Sequence, residues 1–175
     1  VVQNVKVGLP GHHNLTNALL AFAMAKSYGV SNEKIIAALA SFQGVRRRFS
    51  FQIREEKLVY IDDYAHHPTE INAVHQAVRE LYPGKKIIAA FQPHLFSRTK
   101  DFVDGFAESL SKFDEILLLE IYPARELPME GVNSTWLLNK IDNINKKLVS
   151  KDELFTAFEN SDADVFITIG AGDIG

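Results

Sequence analysis

The chain has 175 residues, 46% of them hydrophobic and 23% charged, which is the composition of a folded protein and excludes collagen-like, low-complexity and disordered readings. Nineteen Lys plus Arg against 22 Asp plus Glu leave a net charge of −3, too balanced for electrostatic capture of nucleic acid or of an anionic membrane. The absence of cysteine excludes disulfides, thiolate metal sites and a cysteine nucleophile, and no apolar run approaches the ~18 residues of a membrane span.

In chain order, the first stretch is basic: residues 1–48 carry six Lys or Arg against Glu33 alone, a balance of +5 that leaves −8 on the remainder. Asn14 or a neighbour is expected to cap a helix over Leu15 to Tyr28, ended by Gly29 in the left-handed conformation. Ser31 is expected to cap a second helix through Ile35, Leu39 and Phe42, closed by Gly44. The first helix is apolar nearly all round, more than one partner helix can cover. The pair is therefore predicted to be the remnant, over residues 1–48, of a larger domain. A sequence opening Val1-Val2-Gln3 without an initiator Met fits a piece of a longer chain.

From Phe49 the apolar period changes to two. Phe49, Phe51 and Ile53 alternate with polar residues and turn through Glu55-Glu56 into Lys57 to Ile61, a predicted hairpin. A helix follows from Pro68 to Leu81, with proline tolerated at its first position. Then come strand Ile87 to Phe91, helix Lys100 to Phe113, strand Glu115 to Ile121, helix Ser134 to Ile141, a short strand at Leu148-Val149, helix Asp152 to Asn160 and strand Val165 to Ile169. This alternation predicts a Rossmann-like α/β domain over residues 49–175, a mostly parallel sheet with helices on both faces. Ligands of such sheets sit beyond the carboxyl ends of the strands. There the chain places Asp62 to His67, Gln92-Pro93-His94, Tyr122 to Glu126 and Gly170 to Asp173.

Each cluster has a plain alternative. Alternation aims Asp62 and Asp63 at opposite faces of the sheet, so one of them would meet ribose hydroxyls or a cationic side chain, or else cap the helix at Pro68. His66 and His67, with His12, His13 or His94, are poorly spaced for a metal; binding of a phosphate or carboxylate, or a neutral loop-holding role, fits better. Ser97-Arg98-Thr99 opens a helix, where free N–H groups favour an anion, and Arg98 adds a forked donor. Arg46-Arg47-Arg48 lacks the interleaved aromatics of a nucleic-acid patch and suits one phosphate or carboxylate. Gly170-Ala171-Gly172 can cradle a phosphate or simply allow close backbone approach. There is no Walker loop, since Pro83-Gly84-Lys85-Lys86 has neither its spacing nor its hydroxyl, and no G-x-S-x-G elbow.

Five ordered motifs then resemble those of the Mur ligase family: Gly11 to Leu19, Phe42 to Phe49, Asp62 to Glu70, Phe91 to Thr99 with its His94 and Arg98, and Gly170 to Ile174. Within the family they are most similar to the members that join L-alanine to UDP-N-acetylmuramate. The resemblance covers the end of the family's central ATPase domain and most of its C-terminal domain. It implies an ATP-dependent, ADP-forming ligase of the bacterial cytoplasm that makes a peptidoglycan precursor through an acyl phosphate. By the same resemblance Asn14 and Asn17 would contact adenine, Arg48 the nucleotide phosphates and Asp63 the ribose. Tyr64, His66, His67, His94 and Arg98 would face the muramoyl and alanine end, with Arg98 pairing the amino-acid carboxylate and His94 beside it. ATP and Mg2+ would be bound mainly by parts of the parent outside this sequence, so the piece alone is expected to be inactive.

Leu95-Phe96 stand where many relatives carry Arg-Tyr, so a contact made by that Arg is not carried over. The sibling ligase that uses murein tripeptide shares a D-D-F-A-H-H-P motif but typically carries F-x-P-R-S-N-T, and His94 and Arg98 favour the alanine enzyme. A non-catalytic nucleotide or sugar-phosphate binding module and a metal-dependent hydrolase are the remaining alternatives. Because Arg48 and Asp63 flank the predicted boundary at Phe49, closure of the C-terminal domain over ATP would deliver or withdraw them.

Overall fold

The computed structural model describes residues 5–175, so the predicted first segment is seen from Val5 onward. It holds α1 (His12–Ser27) and α2 (Asn32–Ser41). Gly11, not Asn14, is the N-cap of α1; its φ of 93° suits a residue without Cβ, while Asn14 turns its Nδ2 back to the Pro10 carbonyl at 2.7 Å. Gly29 has the expected left-handed backbone, and Ser31 is the N-cap of α2. Ala18 and Ile35 are buried, yet Leu15, Leu19, Leu20 and Met24 are each more than half exposed.

A six-stranded sheet follows, built from β1 (Ser50–Arg54), β2 (Val59–Asp63), β3 (Ile87–Phe91), β4 (Glu115–Leu118), β5 (Lys146–Leu148) and β6 (Val165–Ile169) in the spatial order β1-β2-β6-β3-β4-β5. β1 and β2 form the predicted antiparallel hairpin, with a bulge between Phe51 and Ile53, and every other pairing is parallel. The crossovers use α3 (Pro68–Leu81), α4 (Phe96–Asp101) with α5 (Val103–Leu110), α6 (Ser134–Lys140) and α7 (Lys151–Glu159). Steps from β2 to β3, β4 and β5 run one way across the sheet, and the step from β5 to β6 runs back. Right-handed crossovers therefore put α3, α5 and α6 on one face and α7 on the other.

The core follows that division. Ile87, Ala89, Phe91, Ile116, Leu118 and Ile167 pack with Ile71, Val74, Phe106, Leu110 and Leu137 on the three-helix face. Their strand neighbours Ile88, Ala90, Leu117 and Phe166 meet Leu154 and Ala157 of α7 on the other. Strands buried on both sides account for the unbroken apolar runs in their sequence.

Three predicted elements need correction. The helix over Lys100 to Phe113 starts earlier, at Phe96, and is cut in two at Phe102 (φ −117°, ψ 20°); the Phe102 ring meets that of His67 at 4.6 Å, and Gly105 lets α5 press against Pro68. The strand Glu115 to Ile121 pairs only to Leu118, because β3 runs on into Pro93, which has no N–H for the ladder; an isolated bridge joins His94 to Tyr122. The short strand lies at Lys146–Leu148 and not at Leu148-Val149, since its register is set by pairing with β4.

Candidate functional site

The link between α2 and β1 enters the sheet through two strained residues, Arg47 (φ 61°) and Phe49 (φ 49°). A left-handed backbone costs a non-glycine residue about 1 kcal/mol or more, and the local hydrogen bonds offset it. Arg47 is fully committed: its Nε pairs with Asp62 at 3.1 Å, Nη1 donates to the Gly172 carbonyl at 2.9 Å and Nη2 to that of Gly170 at 2.8 Å. Its own carbonyl accepts from the Tyr64 amide at 2.6 Å. The middle arginine thus ties the link to the ends of β2 and β6, and of its two neighbours it is Arg48 that lines the adjoining cavity.

Asp62 and Asp63 are both buried. Asp62 meets Arg47 and accepts from the Thr168 hydroxyl at 2.9 Å. Asp63 accepts from the backbone amides of Phe49 at 2.6 Å and Ala65 at 2.7 Å. Burial pushes its carboxyl above the usual range, against the opposing pull of those amides and of Arg48. Neither carboxylate caps α3. That position belongs to His67, whose ring accepts from the Thr69 amide.

Asp63 lies in the wall of a cavity of about 760 Å³ between the two N-terminal helices and α3. Asn14, Asn17, Arg48 and Asp63 all line it, with Glu70, against an apolar wall that includes Leu9, Ala18, Ala21, Leu39, Phe42 and Val45. Such a wall with a few polar groups at one side suits a flat, largely apolar ring carrying a charged tail. Arg48 is half exposed, 3.5 Å from Glu70, and lies over the Tyr64 ring.

The other predicted residues form a second group. The His66 Nδ1–H donates to the Tyr64 carbonyl at 2.9 Å, and the His66 backbone amide donates to Glu70 at 2.9 Å. The His94 ring stacks on Tyr122 and lies 3.4 Å from an Arg98 nitrogen. Burial, then the charges of Arg98 and His66, push the His94 imidazole below its ordinary range. Leu95, at φ 74°, starts α4, and Glu126 accepts from the amide and hydroxyl of Ser97, fixing the turn that carries Arg98. His94 and Arg98 do not line the 760 Å³ cavity; Glu70 and His66 lie between the two groups. His67 is turned away, capping α3 against Phe102. Beyond β6, Gly172 lies so close to Gln92 and the Tyr122 ring that a Cβ would collide with both.

Comparison with known proteins gives the lineage. The family described as Mur ligase, glutamate ligase domain, matches residues 47–172. This chain belongs to the Mur ligase family. It is 71% identical over 174 residues to the UDP-N-acetylmuramate–L-alanine ligase of Flavobacterium psychrophilum, covering 99% of this chain and 39% of that protein. It is 49% identical to the enzyme of the same name from Porphyromonas gingivalis, covering 38% of that protein. The Mur ligase chain thus spans about two fifths of the length of the curated relatives it matches. Among solved structures, the UDP-N-acetylmuramate-alanine ligase of Thermotoga maritima superimposes with a TM-score of 0.81 at 31% identity over 99% of this chain and 37% of that one. A folylpolyglutamate synthase from Mycobacterium tuberculosis, at 0.73 and 17% identity over 98% of this chain and 40% of that one, shares the fold.

Three residues of the Mur ligase chain stand out in the structure that the sequence named only in passing, Glu70 within a motif and Tyr122 and Glu126 within a strand-end cluster. Glu70 joins Arg48 to His66, Tyr122 supports the His94 ring, and Glu126 fixes the start of α4. The available signal for Glu70 was its place in the first turn of a helix, four residues after His66. For Tyr122 and Glu126 it was only their position beyond a strand.

Proposed function

We propose that the chain is the C-terminal part of an ATP-dependent, ADP-forming ligase that joins L-alanine to UDP-N-acetylmuramate in bacterial peptidoglycan synthesis, in the cytoplasm. The observation that supports this best is the grouping of Asn14, Asn17, Arg48 and Asp63 on one apolar-walled cavity. The naming of relatives at 49 to 71% identity as UDP-N-acetylmuramate–L-alanine ligases supports the choice of substrates.

A carboxylate resists attack by an amine until one of its oxygens becomes a leaving group. Phosphorylation of the muramoyl carboxylate by ATP creates that group, and the alanine amine displaces phosphate through a tetrahedral intermediate. The residues of this chain would act by positioning and charge. The amides of Asn14 and Asn17, three apart on α1, would read the adenine edge. Asp63, whose oxygens keep lone pairs beyond the two backbone donors, would accept from the ribose hydroxyls. Arg48 would meet the phosphates. Tyr64, His66, His67, His94 and Arg98 would serve the muramoyl and alanine end, Arg98 pairing the alanine carboxylate with His94 beside it; His67 would do so only through the ring nitrogen not bonded to Thr69.

Magnesium is implied by the same resemblance, but among the described residues no three His, Asp or Glu converge as a metal site. The donor set here does not fit the ion, and no step is derived through it. Accordingly the chain alone should release no phosphate from ATP with UDP-N-acetylmuramate and L-alanine. The full-length parent should do so with L-alanine and not with murein tripeptide. Its Arg48→Ala variant should bind ADP at least about tenfold more weakly, the scale of one charge-assisted contact. Preference for the tripeptide, or unchanged ADP affinity, would overturn the reading.

A further inference from the structure

Among the described residues, Glu70 is the one carboxylate that contacts both groups of site residues, through Arg48 and His66. It sits in the first turn of α3, where its amide bonds to the His67 carbonyl at 2.9 Å, so its backbone is fixed. Oε2 accepts from the His66 amide at 2.9 Å and lies 3.4 Å from His66 Nδ1, while Oε1 stands 3.5 Å from Arg48. The first contact is a good hydrogen bond and the second a loose one. Among the described residues, Arg48 is the only Lys or Arg that lines the cavity, where its guanidinium also lies over the face of the Tyr64 ring and within electrostatic reach of Asp63. Unlike Arg47, it is bound to nothing it must break strongly with in order to move.

We propose that Glu70 is a positioning residue that stands in for phosphate on Arg48: it holds the guanidinium at the cavity mouth and yields it to the polyphosphate of an incoming nucleotide, while His66 keeps Glu70 in place. This deepens the reading of the cavity as a nucleotide site and rests on it. The mechanism is competition between anions for one cation. A polyphosphate carries more charge and several acceptor oxygens, and displaces a single carboxylate oxygen at 3.5 Å. Glu70 therefore lowers the affinity for every ligand that bears phosphates and leaves that for the bare nucleoside alone.

The test uses the full-length parent and calorimetry with ADP and with adenosine. Glu70→Gln keeps an amide oxygen for the His66 N–H and removes the charge. It should bind ADP about two- to fivefold more tightly, the range corresponding to an exposed ion pair, with adenosine affinity unchanged and the gain shrinking in added salt. In an Arg48→Ala background the same substitution should bring no gain. Glu70→Asp, one methylene shorter, should likewise bind ADP more tightly, which guards against a folding defect peculiar to the glutamine variant. Unchanged or weaker ADP binding in Glu70→Gln, or equal gains for ADP and adenosine, would overturn the proposal while leaving the nucleotide site standing. If Arg48→Ala itself leaves ADP affinity unchanged, the nucleotide reading falls and the role of Glu70 with it.

Discussion

Adjacent arginines divide two tasks at the entrance to the sheet. Replacing Arg47 by Ala would strand the buried Asp62 carboxylate and two carbonyls, so it should cost about 2–4 kcal/mol in urea unfolding. Arg48→Ala removes a loose, half-exposed pair and should move stability by less than about 0.5 kcal/mol, while weakening ADP binding to the parent and leaving adenosine binding unchanged. Sequence reading grouped the three arginines because it sees them side by side. The partners that distinguish Arg47 lie 123 and 125 positions away at the end of β6, and no local pattern announces them. Position at a strand end beside the expected cleft marked Asp62 and Asp63 together, and only the family resemblance chose Asp63; its bonds to the Phe49 and Ala65 amides depend on backbone turns that residue types do not specify. Titration follows from the same local view. Burial and neighbouring cations lower the imidazoles of His75 and His94 below the ordinary histidine range. The unfolded chain thus takes up protons first as pH falls. Stability from the neutral rings is complete above about pH 6.5 and is lost as pH drops through that value toward the folded-state one. Urea midpoints should fall over this window, and His75→Gln should flatten the fall.

Each element's position was legible where one residue type decides it, and not where a neighbour does. Pro68 at the start of α3 and Gly29 after α1 act through the backbone of their own segment, and the unbroken apolar runs of β3 and β6 through the burial of their own side chains. The cut between α4 and α5 has no such mark: Phe102 leaves the helix to meet His67, and Gly105 is needed for the approach to Pro68. A larger residue there should push the two helices apart, and Gly105→Val is expected to lower stability by about 1–3 kcal/mol as an overpacked contact. The loop after β6 makes the same point closer to the site. Gly172→Ala would drive a methyl into the Gln92 amide and to 2.8 Å from the Tyr122 ring. Tyr122 carries the stacked His94, so the substitution should disturb the pairing of His94 with Arg98 as well as cost about 1–3 kcal/mol. The measurement is a paired one on the parent, urea unfolding and the KM for L-alanine; a loss of stability with an unchanged KM would show that the loop does not set the His94 ring.

Across the molecule, the α/β domain closes its own core on both faces of the sheet, whereas α1 does not close its side. Leu19 and Leu20 are 68% and 59% exposed and Leu15 and Met24 stand open beside them, on a helix whose other side lines the cavity through Asn14, Asn17 and Ala18. An apolar patch of this kind on a chain that spans 39% of its relatives is expected to be packed against the rest of the longer polypeptide. The cavity would then be rigid on one wall, fixed by that packing, while its other wall belongs to the α/β domain, to whose strand ends Arg47 and the Phe49 amide tie the link that bears Arg48. Paired substitutions separate this from a patch that is exposed in both settings. Leu19→Ser with Leu20→Ser should change the stability of the present chain by less than about 0.5 kcal/mol, because exposed side chains contribute little. In the full-length protein the same pair should cost about 2–5 kcal/mol for each leucine that becomes buried, read as a drop in urea midpoint, and should weaken ADP binding because the wall bearing Asn14 and Asn17 is no longer held. Equal, small effects in both proteins would mean that α1 carries its apolar face in the open and that the cavity is not braced from behind.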